Sequence, residues 1–143
     1  MLIPDVNVLV YASREESPDH VAYRDWLRAL ALGDDSFGLS ELVCSGFLRL
    51  VTNPRLWNPP MPTDIALEFV EALRSRPNCV LVSAGPRHWG IFAGLCSQLG
   101  LRGSIVADAY FAALAIESGN EWATADRDFR RFPGLRWRHP LGR

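Results

Sequence analysis

Apolar residues fall in two rhythms along this chain: short unbroken runs, and longer stretches that repeat every three or four positions. Short runs bounded by turn residues predict buried strands, and the longer rhythm predicts helices that hide one face. Leu2 to Pro4 is such a run, ending at Asp5. Pro4 has no amide hydrogen for a ladder, so the strand must be short or the proline must sit where no donor is needed. Val6 to Ala12 is too uniformly apolar for the period to separate a longer strand from a helix. Ser17-Pro18 opens a helix over Asp19 to Leu32, with Val21, Trp26, Leu27, Leu30 and Ala31 at helical spacing and Gly33-Asp34-Asp35 as its stop. Ser36 to Leu39 predicts a brief strand. Ser40 caps a helix carrying Leu42, Val43, Phe47, Leu48, Leu50 and Val51, which Asn53-Pro54 ends.

Pro54 to Pro62 holds four prolines and reads as a rigid irregular loop with Leu56 and Trp57 tucked in. Thr63 caps a helix over Asp64 to Arg76, with Ile65, Phe69, Val70 and Leu73 on one face. Cys79 to Ser83 is a second clear strand. Helices follow over Arg87 to Gly100, with Trp89, Ile91, Phe92 and Leu95, and over Ile105 to Ser118, closed by Gly119-Asn120. Glu121 to Ala125 predicts a strand, Asp126 to Phe132 a short helical turn, and Leu135 to Arg138 a last edge strand. Strands alternating with helices indicate an α/β domain with a largely parallel sheet covered on both faces.

At 143 residues the chain is expected to form one domain, residues 1–143, with a single sizeable core. No apolar run approaches the ~18–20 residues that span a bilayer, and no basic-then-apolar leader precedes Pro4, so a cytoplasmic protein with no membrane partner is expected. Cys44, Cys79 and Cys96 are odd in number and widely spaced, which points to reduced thiols rather than a disulfide framework or zinc site. The formal charge of −1 carries no global signature for nucleic acid. Every basic residue is arginine, and the absence of lysine excludes P-loop, Schiff-base and lysine-assisted phosphoaspartate chemistry.

The chemistry then turns on acids. Burying Asp5 in an apolar run is costly unless a helix N-terminus or a cation compensates it. In an open parallel sheet, ligands gather beyond the carboxyl ends of the strands. Asp5, Glu41 and Asp126 stand at such ends, with Thr124 two residues before Asp126 and Asp128 two after. Asp108 lies in the first turn of an alanine-rich helix, the one charge there before Glu117. Singly, these acids also suit helix caps and macrodipoles. Together, four like charges in one pocket would raise each other's pKa, and a divalent cation removes that conflict. An all-oxygen set suits Mg²⁺ or Mn²⁺, ions that activate water and stabilise a leaving oxygen in phosphodiester hydrolysis. Asn7 is placed to orient a water or phosphate, and Thr124 to hold a carboxylate or phosphate oxygen.

Asp5-Val6-Asn7 after a first strand, Glu41 opening a helix, Asp108 in its alanine-rich helix and Thr124-Ala125-Asp126-Arg127-Asp128-Phe129 resemble the PIN-domain signature across essentially the whole chain. Length, order and the segment Leu39 to Pro54 are similar to the VapC toxins of bacterial type II toxin–antitoxin modules. The resemblance implies a three-layer α/β/α sandwich, Mg²⁺- or Mn²⁺-dependent endoribonuclease activity, a homodimer, and a VapB-like antitoxin docked across the acidic groove. It puts the catalytic set on Asp5, Glu41, Asp108 and Asp126, with Asn7 and Thr124 as polar helpers. Asp5, Asp108 and Asp126 would ligate the metal, while Glu41 completes the site or acts as base. Hydrolysis would leave a 5′-phosphate and a 3′-hydroxyl.

An acidic pocket repels RNA, and the tail offers a counterweight in Arg127, Arg130, Arg131, Arg136, Arg138 and Arg143, with the first three nearest the acids. Arg49 and Arg55 stand as additions to that groove, with Arg49 equally suited to a buried ion pair. The alternative to a nuclease is a catalytically silent PIN-like binding module. An aspartyl phosphatase fits Asp5 but lacks the lysine and has Asn7 where a second aspartate is wanted. A metal-free histidine ribonuclease needs a close pair, and His20, His88 and His139 sit in unrelated segments.

Overall fold

The structure is a computed structural model describing all 143 residues, and the apolar run at the chain's start forms its central strand. Five parallel strands line up in the order β3-β2-β1-β4-β5: β1 Leu2–Pro4, β2 Phe37–Leu39, β3 Cys79–Leu81, β4 Glu121–Ala123 and β5 Trp137–Arg138. Between them run α1 (Val6–Ser13), α2 (His20–Leu32), α3 (Glu41–Val51), α4 (Thr63–Arg74), α5 (His88–Leu99) and α6 (Ile105–Ser118). A right-handed crossover from β1 to β2 and on to β3 places α1–α4 on one face, and the return to β4 places α5 and α6 on the other. The helix contacts agree: α1 packs on α2 and α3, α3 on α4, and α5 on α6. This is the three-layer sandwich, and the chain reverses its winding between β1 and β4.

The ambiguous run Val6 to Ala12 is helix. Asp5 is its N-cap, with an extended backbone and a side chain that accepts from the Val6 amide. Pro4, fully buried in the central strand, also has an account. Asp5 N donates to Ala123 O at 2.8 Å, so alternation points the Pro4 position toward β2, where pairing ends at Leu2↔Phe37. The missing donor ends the β1–β2 ladder after one pair, while Pro4 stays paired with Ala123 on the β4 side.

Several expectations shift by a residue or a face. Thr63 is the first residue of α4, after Pro62, and not its cap. The buried stripe there is Ala66, Val70 and Leu73, with Phe69 half-buried, so Ile65 stands exposed. In α2 the stripe is Tyr23, Leu27 and Ala31, which leaves Val21 outside. Trp57 is half-buried with Arg14 stacked 4.5 Å over its ring, while Leu56 is exposed. The run at Cys79 is an edge strand, with Val80 and Leu81 open to solvent. Trp89, at 70% exposure, contributes little to the α5 core face.

Gly46 sets how closely α3 lies on α1, because a Cβ there would stand 3.0 Å from Val6 Cγ2. That approach keeps Ser40, buried and capping α3 through the Leu42 amide, beside the end of β1. No helix is long and apolar enough to cross a membrane.

Candidate active site

The crevice outside a parallel sheet opens where the winding reverses. Here that point lies between β1 and β4, and the residues just past those strands, Asp5 and Thr124, meet across it. Thr124 Oγ1 donates to Asp5 Oδ2 at 2.6 Å, and both residues are buried. The direction of that bond is fixed by the other two. Thr124 Oγ1 already accepts from Asn7 Nδ2 at 3.1 Å and from the Asp126 amide at 3.0 Å, so its own proton is left for Asp5. Asn7 Nδ2 also reaches Asp5 Oδ2 at 3.1 Å, and Asn7 Oδ1 accepts from Ala125 N at 3.2 Å. Asp5 Oδ1 takes the Val6 amide at 2.6 Å. The three groups that donate to Asp5, from Thr124, Asn7 and Val6, all favour the ionised carboxylate.

Burial works the other way and wins. It pushes the Asp5 carboxyl from 3.8 up to about 6, against the Thr124 and Val6 donors and with help from the negative charges of Asp108 and Asp126. Asp108, half-buried in the first turn of α6, is also pushed up, first by burial and then by Asp126, with Arg131 easing it down and Asp128 adding to the rise. Asp126 caps the turn Arg127–Arg131, accepting from the Asp128 amide at 2.8 Å. Asp5 thus feels the charges of Asp108 and Asp126, and Asp108 that of Asp126, while Asp5 has no ion-pair partner.

Glu41 does not share that field. Its carboxylate ends 3.9 Å from Arg74 of α4, with three-quarters of the side chain exposed, and its charge falls on Cys44 instead. The predicted basic tail also divides. Arg138 forks onto Glu121 at 2.9 and 2.8 Å, Arg143 binds Asp19 at 2.7 Å, and Arg136 is tied to the Gly119 carbonyl. These three lean on the opposite end of the sheet or on α2, so they leave the acidic edge to Arg127, Arg130 and Arg131. Arg49 is exposed and unpaired, not a buried ion-pair partner; it lines an apolar groove of about 540 Å³ with Leu42, Phe92, Val106 and Tyr110. His88 is buried against Tyr110, while His139 bonds Tyr23 and His20 bonds the Tyr11 carbonyl, with no hydrogen bond between any two of the histidines.

The Asp126 amide and the Asp128–Arg131 ion pair escaped sequence reasoning. The first is a backbone donor, with no residue signature. The second was legible as an i,i+3 pair in a helical turn.

No three acidic, histidine or cysteine side chains converge into a ready-made metal cage. Mg²⁺ does not require one, since it keeps several waters and takes one or two carboxylates. A buried, hydrogen-bonded carboxylate with two more acids in its field, all offering oxygen, fits such a hard cation.

Comparison with known proteins places the chain in a family. The PIN domain model matches residues 2–135, and the chain belongs to the PIN-domain family. Ribonuclease VapC43 of Mycobacterium tuberculosis is 45% identical over 141 residues, covering 99% of this chain and 96% of that protein. Ribonuclease VapC25 of the same organism is 39% identical over 140 residues, covering 98% and 99%. Within its family the chain is therefore a VapC ribonuclease, of the toxin class of type II toxin–antitoxin systems. Among solved structures, VapBC2 from Rickettsia felis bound to a DNA fragment from its promoter matches with a TM-score of 0.70 at 20% identity, over 96% of this chain and 97% of that one. VapC20 of M. tuberculosis, a sarcin-ricin loop cleaving toxin, matches at 0.63 and 16% identity, over 95% and 99%. At those identities the two structures speak for the fold.

Proposed function

We propose that this VapC ribonuclease is a Mg²⁺- or Mn²⁺-dependent endoribonuclease, a single catalytic domain that acts as a homodimer and is silenced by a VapB-like antitoxin across its acidic groove. The observation that carries the metal is Asp5: a buried carboxylate, surrounded by donors that want it ionised and by acids that do not, with no cation of the chain against it. The antitoxin reading draws on structural neighbours solved as toxin–antitoxin assemblies, VapBC2 and FitAcB from Neisseria gonorrhoeae.

In this reading Asp5, Asp108 and Asp126 hold the cation. Once bound, it supplies a Lewis acid that lowers the pKa of a water and stabilises the departing oxygen. The chain's own work is positional. Thr124 and Asn7 fix the rotamer of Asp5 and favour its ionised form against burial, and the Asp126 amide locks Thr124 in turn. Asn7, half-buried at the mouth, spends both N–H groups on Asp5 and Thr124, so the second lone pair of its Oδ1 is what remains to orient a water. Glu41 completes the site as base on leaving Arg74, because an exposed contact at 3.9 Å is worth at most about 1 kcal/mol and does not hold it. The products are a 5′-phosphate and a 3′-hydroxyl.

The test is cleavage of single-stranded and structured RNA by the purified chain with Mg²⁺ or Mn²⁺, with and without EDTA, beside Asp5→Asn. The reading expects cleavage that EDTA abolishes and that Asp5→Asn lowers about a thousandfold, the scale of several kcal/mol of lost transition-state stabilisation. Cleavage undiminished by either change refutes it, and inertness toward every RNA favours a silent binding module.

A further inference from the structure

An acidic site must still receive an anion, and one arginine is placed to do so. We propose that Arg131, set in position by Asp128, receives a phosphate of the RNA at the acidic edge, with Asp128 as its positioning residue rather than a metal ligand. The inference rests on the ribonuclease reading and names a substrate contact within it.

The geometry is local and specific. In the turn Arg127–Arg131, Arg131 Nε donates to the Asp128 carbonyl at 3.0 Å, and Nη2 lies 3.3 Å from Asp128 Oδ2. Two anchors on one residue hold a long side chain that would otherwise sweep through solvent, and they leave Nη1 without a partner in the chain. Asp128 is itself tied inward, since its amide donates to Asp126 Oδ1 at 2.8 Å. The turn therefore strings together an acid of the site, a positioning carboxylate and a guanidinium, in that order. Three of the other tail arginines are engaged elsewhere, and Arg127 and Arg130, on the same turn, have no anchor of the kind that holds Arg131. Arg138, Arg143 and Arg136 are bonded to Glu121, Asp19 and the Gly119 carbonyl, and the charge of Arg127 falls on His139. Arg131 is the arginine whose charge reaches Asp108. A planar fork with free N–H groups beside carboxylates suits a phosphate that bridges the two, as the acids draw its counter-cation and the guanidinium takes its oxygens.

The experiment is binding of a fluorescent single-stranded RNA of mixed sequence in EDTA, where it stays intact, over a range of salt. Mn²⁺ affinity of each variant is measured separately by calorimetry. Arg131→Met is expected to weaken RNA binding about tenfold, the loss of one charge-assisted contact. It should also flatten the salt slope by about 0.7, the share of one phosphate contact on a single strand. Arg131→Lys restores the slope but only part of the affinity. Asp128→Asn weakens RNA binding and leaves Mn²⁺ affinity at the wild-type value, while Asp126→Asn lowers it. Wild-type RNA affinity and slope in Arg131→Met overturn the proposal, and so does a fall in Mn²⁺ affinity in Asp128→Asn that matches Asp126→Asn. Because the binding readout needs no cleavage, absence of cleavage counts against the ribonuclease reading and leaves this result to be judged alone.

Discussion

The strongest consequence of Asp5 concerns the metal-free protein. Its carboxyl titrates at about 6 in the fold and near 3.8 in the unfolded chain, so folding takes up a proton between those values. A group shifted upward stabilises the fold below its unfolded pKa and loses that contribution as pH rises through the folded one. Burial is nearly complete, with 6% of the residue exposed, so solvent screening does not reduce the effect. A shift from 3.8 to about 6 corresponds to about 3 kcal/mol lost by pH 7. With about 2 cal/mol/K per residue of unfolding entropy, the melting midpoint falls by about 10 °C. Asp108 adds to the fall, since it is also shifted upward. Asp19, Glu117 and Glu121 are held below their ordinary values by Arg143, the Gly85 amide and Arg138, so their contributions are lost only in more acid solution. His139, shifted downward by burial, acts in the opposite sense near neutrality, which makes a paired comparison necessary. The assay is thermal unfolding in EDTA from about pH 4.5 to 7.5, wild type beside Asp5→Asn, repeated with millimolar Mg²⁺. Wild type should lose stability with rising pH while Asp5→Asn stays flatter, and Mg²⁺ should remove the difference in slope by stabilising the ionised form. Parallel curves for the two proteins in EDTA refute the reasoning.

Two further predictions probe the network and its neighbour. Thr124→Val removes the donor to Asp5 and the acceptor for Asn7 and the Asp126 amide, so urea unfolding should show a loss of about 2–4 kcal/mol, with Thr124→Ser within about 1 of wild type. Glu41→Gln should leave stability within about 0.5 kcal/mol, because its pair with Arg74 is exposed and long, while cleavage kinetics fall at least about tenfold.

Much of this was legible in the sequence because burial and chemistry conflict there. Asp5 and Asp108 each interrupt an apolar run, and a parallel sheet gathers the ends of β1 and β4 at one edge whatever the details of packing. Helix faces were less legible. Apolar residues such as Ile65, Val21 and Trp89 satisfy a periodic pattern, yet one step of rotation, set by partners distant in sequence, decides which stripe is buried. The Pro4 question needed the sheet order, since only the registers show that its missing donor faces β2 and leaves the ladder with β4 intact. Arginine partners were the least legible of all. Arg138 and Arg143 look like free basic residues until the fold brings Glu121 and Asp19 beside them from far along the chain. Glu41 illustrates the same limit: its place at a strand end follows from the sequence, but the direction of its carboxylate depends on Arg74.

The central claim is that Asp5, Asp108 and Asp126 form a cation site, and calorimetric titration with Mn²⁺ at neutral pH tests it without any assumption about the RNA. The account predicts saturable binding to the wild type that is lost in Asp5→Asn and weakened in Asp108→Asn and Asp126→Asn, with proton release appearing when the titration is repeated near pH 6, where the Asp5 carboxyl is partly protonated. Binding of Mn²⁺ to Asp5→Asn with the affinity of the wild type would contradict it.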